Sequence, residues 1–143
     1  MKQKPNREHK KFPKLRFLVI DDEVAIGEAI CFAIDMTGND TVRFSNPADA
    51  VKDFRKNPSK YDGVFTDLSM PQMSGEMVIE RIRKITQEIP IVICTATGGI
   101  FTTEDLVKMN VLSLIAKPFE LSDIELAVKQ IQENYMMRNS LLK

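Results

Sequence analysis

The chain has 143 residues, of which 43% are hydrophobic and 28% charged, the ordinary balance of a single globular domain with one sizeable core. No apolar run approaches the roughly 20 residues that span a bilayer, and the N-terminus lacks the apolar core and small-residue cleavage site of a secretory signal, so the sequence reads as cytoplasmic. The zero net charge hides an asymmetry: residues 1–16 carry seven Lys/Arg against one Glu, which leaves 13 basic and 19 acidic side chains for the remainder.

That basic stretch has no interleaved aromatics and no recognition-helix pattern, so residues 1–14 read as a solvated, disordered arm and direct DNA binding is not expected. His9, the single histidine, lies in the arm and has no amphipathic helical setting. The first strand is "RFLVI" (16–20), followed by a helix from about Val24 to Thr37 that Gly38-Asn39 closes. "DTVRF" (40–44) is the second strand, and Asn46 caps the next helix with Pro47 in its first turn. "YDGVFT" (61–66) runs into Asp67, and a helix from about Gly75 to Gln87 puts Val78, Ile82 and Ile85 on one face.

The fourth strand is "IPIVICT" (89–95), the fourth helix spans about Thr103 to Met109, and the fifth strand is "LSLIA" (112–116). A last helix is capped by Ser122 and turns one face inward through Ile124, Val128, Ile131 and Tyr135. Packing is expected to end near Tyr135, with an apolar surplus in Met136, Met137, Leu141 and Leu142 beyond it. The folded domain is therefore placed at 15–137 and a flexible tail at 138–143. Cys31 and Cys94 sit in apolar stretches and read as buried small hydrophobes.

Five strands alternating with five helices call for an α/β fold: a mainly parallel five-stranded sheet with helices on both faces. Strand two, with Asp40 and Arg43, reads as an edge, whereas strands one, three, four and five read as buried on both sides. Ligands of such sheets bind beyond the carboxyl ends of the strands, and here those ends are polar: Asp21-Asp22, Asp67, Thr95, and Ala116 leading into Lys117-Pro118. Each alone has an ordinary explanation as a turn, a cap or a solvated side chain. Gathered on one rim, three carboxylates would raise one another's pKa unless positive charge is present, which Lys117 and a divalent cation would supply. A cluster of hard oxygen donors suits Mg²⁺ rather than zinc or copper, and Asp67, alone on the central strand, is the candidate nucleophile toward a phosphoryl group.

The segments "VIDDE", "FTDLSMPQMSG", "VICTA" and "IAKPF", in this order and spacing, resemble the receiver domain of bacterial two-component response regulators over about residues 15 to 137. The resemblance implies a flavodoxin-like (βα)₅ fold with strand order 2-1-3-4-5. Asp67 would then accept phosphate from a sensor histidine kinase or a histidine phosphotransfer protein. Asp21, Asp22, Asp67 and the backbone carbonyl of Ser69 would hold Mg²⁺. Thr95, Ala96 and Lys117 would bind the phosphoryl group, Ser69 and Thr97 would tune its lifetime, and the Lys117-Pro118 peptide would be cis. It further implies a signalling role with no turnover beyond the domain's own phosphorylation and dephosphorylation, a downstream protein target, and a homodimer through the helix 4–strand 5–helix 5 face.

Two positions depart from the family pattern. Leu114 stands where a Tyr or Phe switch is usual, and Asn110-Val111 replaces a Gly-Ala turn, a change asparagine tolerates because it accepts the left-handed conformation. With about twenty-five residues after Pro118, mostly used by the last helix, the chain reads as a stand-alone receiver, and a segment of a hybrid sensor kinase is the competing origin. Haloacid-dehalogenase-type phosphohydrolases combine similar groups, but their Asp-x-Asp after strand one is replaced here by Asp21-Asp22-Glu23.

Overall fold

A computed structural model describes residues 12–141 of the chain. The strands are β1 (Arg16–Ile20), β2 (Asp40–Phe44), β3 (Gly63–Thr66), β4 (Ile91–Thr95) and β5 (Ser113–Ala116). The helices are α1 (Val24–Met36), α2 (Pro47–Lys56), α3 (Gly75–Ile85), α4 (Thr103–Met109) and α5 (Leu121–Leu141), with short 3₁₀ turns at Pro58–Lys60 and Gly98–Ile100. All strand pairs are parallel and the sheet order is β2-β1-β3-β4-β5, as the sequence implied.

Side chains of successive strand residues point to opposite faces, which divides the core in two. Leu18, Ile20, Val64, Ile91 and Ile93 pack with Ala50, Val51 and Phe54 of α2 and Val78, Ile79 and Ile82 of α3. Phe17, Val19, Phe65, Val92 and Cys94 pack with Ile30, Ala33 and Ile34 of α1 and Ile124, Ala127, Val128 and Ile131 of α5. Asn46 caps α2 by accepting from the Ala48 and Asp49 N–H groups, and the acceptor of the Met77 N–H at the start of α3 is Ser74 Oγ.

Several boundaries differ from the sequence reading for local reasons. β3 starts at Gly63, where pairing with Phe17 begins, after Asp62 has met Arg16 through its own N–H to the Arg16 carbonyl at 2.8 Å and its carboxylate to the Arg16 N–H at 2.9 Å, and β4 starts after Pro90, which has no N–H to give a ladder. The Glu120 N–H bonds the Asp123 carboxylate at 2.9 Å, so α5 begins at Leu121 and Ser122 lies inside its first turn instead of capping it. β5 was expected to be buried on both faces, but it is the second edge and its residues are half-buried or exposed.

The helix α5 continues to Leu141 rather than giving way to a tail at residue 138. Its packed face does stop at Tyr135, and Met136 to Ser140 are exposed. The basic arm through residue 11, with His9, and residues 142–143 lie outside the described residues. Among the described residues no helix is long and apolar enough to cross a membrane, and both cysteines are free thiols.

Candidate functional site

Two clefts open at opposite ends of the strands. The larger, about 550 Å³, lies at their N-terminal ends beneath β3, β4 and β5 and is lined in part by Asp62, Pro90, Leu112 and Ile131. Its polar groups already serve one another: Arg83 Nη2 and Nε donate to the Asn110 carbonyl at 2.6 and 3.1 Å, and Asn110 Nδ2 donates to the Gln87 carbonyl at 3.1 Å. The smaller, about 290 Å³, lies at the C-terminal ends and is lined by Asp22, Glu23, Asp67, Ser69, Thr95, Ala96 and Lys117. Chemistry favours the smaller.

Strand pairing delivers its groups. The Asp67 N–H donates to the Ile20 carbonyl at 3.1 Å, which fixes the end of β3 beside the end of β1. The Lys117 N–H donates to the Thr95 carbonyl at 3.0 Å, which fixes the end of β5 beside that of β4. The Lys117-Pro118 peptide is cis. Lys117 Nζ then reaches across the rim to Asp21 Oδ2 at 2.9 Å and Asp67 Oδ2 at 3.0 Å, with Glu23 Oε1 at 3.7 Å.

Asp21 is fully buried and Asp67 nearly so. Burial pushes the Asp21 carboxyl above its ordinary value, and hydrogen bonds from Lys117 and the Glu23 N–H oppose that only in part. Burial acts equally against the Lys117 ammonium, but its bonds to Asp21 and Asp67 outweigh burial and hold its proton above the ordinary lysine value. The lysine is therefore charged at neutral pH, between two carboxylates.

The second oxygen of Asp67 is held differently. Its Oδ1 accepts the Leu68 N–H at 2.7 Å and the Ser69 N–H at 3.3 Å, so the side chain is oriented by its own loop. That loop closes against the start of α3, where the Gly75 N–H donates to the Leu68 carbonyl at 2.9 Å. Carboxylate oxygens of Asp21, Asp22 and Asp67 lie within 4.8 Å of one another. Three hard oxygen donors with no imidazole or thiolate among them fit Mg²⁺. Across the rim, Thr95 Oγ1 lies 3.2 Å from Thr97 Oγ1 and accepts the Thr97 N–H at 3.4 Å.

Most of the expected site residues thus meet at one rim, with Asp21 beneath it. Leu114 does not line the cleft: it pairs with Ile93 on β5 and packs on the α2–α3 face of the core. The roles of three positions in the folded site escaped the sequence reading. Glu23 extends the acidic pair into the cleft, a role its place beside Asp22 could have signalled. Gly75 and Gly98 are glycines of close approach, and only the folded chain shows what they approach.

Comparison with known proteins agrees with this fold. The family model for the response regulator receiver domain matches residues 17–129. The chain is 27% identical over 115 residues to sporulation initiation phosphotransferase F of Bacillus subtilis, covering 80% of this chain and 91% of that protein. Other curated relatives are transcriptional regulators of which the chain spans about half the length. A response regulator receiver domain protein from Clostridium thermocellum superposes with a TM-score of 0.78 at 29% identity, covering 90% of this chain and 99% of that one. The response regulator TrrA of Thermotoga maritima, solved with Mg²⁺ and BeF, gives a TM-score of 0.72 at 29% identity, covering 82% and 98%.

Proposed function

Because the chain belongs to the response regulator receiver family, whose domains serve phosphorylation-dependent signalling, we propose that Asp67 is the residue that carries the phosphoryl group. The observation that carries this is the position of Lys117 Nζ, 3.0 Å from Asp67 Oδ2 and 2.9 Å from Asp21 Oδ2. One cation links the candidate nucleophile to the acidic pair.

The step is transfer from a phosphohistidine of a sensor kinase or histidine phosphotransfer protein. A carboxylate oxygen of Asp67 attacks phosphorus, a P–O bond forms, the P–N bond breaks, and the bonding pair leaves with the imidazole nitrogen. Before attack, the Leu68 and Ser69 N–H groups and Lys117 keep the carboxylate in one orientation, so little rearrangement is needed. As charge gathers on the transferring oxygens, Lys117 follows it, and Thr95 Oγ–H and the Ala96 N–H donate from the opposite wall. Ser69 and Thr97, at the mouth, govern access of water and hence lifetime.

Asp21, Asp22, Asp67 and the Ser69 carbonyl would hold Mg²⁺, which supplies neutralisation of the phosphoryl oxygens when bound. Asp22, at the open side of the rim, would ligate directly, whereas the buried Asp21 is already engaged by Lys117 and the Glu23 N–H. The product is a signalling state rather than a released metabolite. Its readers are a protein target and, through α4, β5 and α5, a second copy. Incubation with radiolabelled acetyl phosphate tests the reading: label should enter the parent only with Mg²⁺ and should be lost in Asp67→Asn, and equal labelling of that variant would refute it.

A further inference from the structure

We propose that the end of the domain opposite the acidic rim, together with the basic arm, is a docking surface for an anionic lipid bilayer. Such docking does not depend on which aspartate carries the phosphoryl group.

Charge is segregated along the strand direction. The helices α2 to α5 begin on the side of the rim with acidic first turns, at Asp49, Glu76, Glu104, Asp105 and Asp123, which add to Asp21, Asp22 and Asp67. They end at the other pole with basic last turns: Arg55 and Lys56 on α2, Lys84 on α3, Lys108 on α4 and Arg138 on α5. All five cations are exposed, and none is in a salt bridge among the described residues. Asp40, Asp53 and Asp62 at this pole are already occupied, by Lys14 and Arg16, by Lys60 and Tyr61, and by the Arg16 N–H. That leaves Asp35, Glu88 and Glu133 as its exposed acids. Residues 2–11 add Lys2, Lys4, Arg7, Lys10 and Lys11 against Glu8 alone, and they enter the fold at this pole because β1 starts there.

A helix dipole explains a cation in a last turn. It does not explain the apolar groups set among these cations. The helix α5 runs on past its packed face, where Met136 and Met137 are 38% and 62% exposed beside Arg138. Beneath that overhang lies the cleft of about 550 Å³, with Ile89, Pro90, Leu112 and Ile131 in its lining. Cations around exposed, flexible apolar side chains suit the surface of an anionic bilayer, where ammonium and guanidinium groups meet the headgroups and methionines enter the acyl boundary. A nucleic acid fits less well, because the rings bordering the cleft, Tyr61 and Tyr135, are buried and half-buried and residues 2–11 contain no Phe, Tyr or Trp to stack on bases. Docked by its basic pole, the domain turns its acidic rim away from the negative lipid, as repulsion between like charges requires.

Sedimentation of the full chain with vesicles tests this. Phosphatidylcholine vesicles containing about 30% phosphatidylglycerol should pellet the protein at low salt, whereas phosphatidylcholine alone should not. Raising the salt from about 0.05 M to about 0.3 M should release it as the Debye length shortens. Each cation near the surface is worth about fivefold in affinity, so Lys84→Glu with Lys108→Glu, and separately Lys10→Glu with Lys11→Glu, should weaken binding about twentyfold or more. Met137→Ser should weaken it about threefold through lost apolar contact. Lys84, Lys108 and Met137 are exposed, so these variants keep the fold, which thermal melts check. Equal pelleting with both kinds of vesicle, or parental affinity in either charge variant, would overturn the proposal. An RNA oligonucleotide that displaces the vesicles, and that Met137→Ser binds as well as the parent does, would assign the pole to nucleic acid and overturn it too.

Discussion

Replacing Gly75 with alanine should damage both the fold and the site, because the position has no room at all. A Cβ there would sit 2.1 Å from the Asp67 carbonyl oxygen and 2.6 Å from Leu68 Cα. Those are backbone atoms of the loop that orients the Asp67 carboxylate, and no flexible side chain can swing aside. Relief to an ordinary separation requires a displacement of about 1 Å, on the scale of overpacking that costs about 1–3 kcal/mol. The same displacement strains the Gly75 N–H bond to the Leu68 carbonyl and the Thr66 Oγ1 bond to the Asp67 carbonyl, both 2.9 Å, at about 1 kcal/mol for each bond lost.

A total of about 3–5 kcal/mol corresponds to a fall in Tm of about 10–20 °C for a domain of this size. A misplacement of that size at a reacting group also slows chemistry on the order of 10²-fold, so labelling by acetyl phosphate should drop by roughly that factor below the melting transition. Gly99→Ala, pointing into open space, is the control and should match the parent in both. Differential scanning calorimetry and a labelling time course measure the two effects. If Gly75→Ala melts and labels like the parent, the reasoning from close approach is wrong.

Tyr61→Phe removes the hydroxyl that bonds Asp53 Oδ2, a bond that holds the Asp53 carboxyl below its usual range; urea unfolding at pH 7 should show a loss of about 1 kcal/mol after solvent screening. A depressed folded pKa gives stability that is present above the unfolded value near 3.9 and lost as pH falls through the folded one, so the difference between the two proteins should shrink as pH falls below about 3.9; a difference that stays constant through the acid titration would disprove the linkage. Burial pushes the Cys94 thiol up to about 12, so native protein at pH 8 should leave it unreacted with a disulfide reagent until unfolding, and rapid modification would contradict its place beneath the rim. Asn110, at φ 58, should accept glycine with little change, whereas Asn110→Val should lose about 1–2 kcal/mol by denaturant titration, and equal stability of the two variants would refute a left-handed requirement.

Strand pattern and strand-end chemistry were legible in the sequence because both are local. The apolar runs that become β1, β3 and β4 point alternately into two cores, and a carboxylate, a threonine or a lysine at each strand end needs only the topology to converge. Asn46 and Pro47 declared the start of α2 in the same local way. The features that the sequence concealed depend on contacts across the chain. Tyr61 and Asp62 have the look of strand residues, but the Tyr61 ring stacks on Phe54 and Asp62 meets Arg16 through both its N–H and its carboxylate, and the register with β1 begins at Gly63. Ser122 is a good cap by type, yet the Glu120–Asp123 pair took that task two residues earlier. The second edge at β5 was masked by its apolar content, since edge position follows from sheet order and not from composition. The close approaches of Gly75 to Asp67 and of Gly98 to Leu114 span 8 and 16 residues of chain, and a glycine in isolation says nothing of what it lets near.

Phosphorylation at Asp67 can be read directly by position. The protein is treated with acetyl phosphate and Mg²⁺, the acyl phosphate is reduced with borohydride to homoserine, and the peptides are sequenced by mass spectrometry. Homoserine is expected at 67, with unmodified side chains at Asp21, Asp22 and Glu23; homoserine at Asp21 or Asp22, or hydroxynorvaline at Glu23, with Asp67 intact would contradict the assignment.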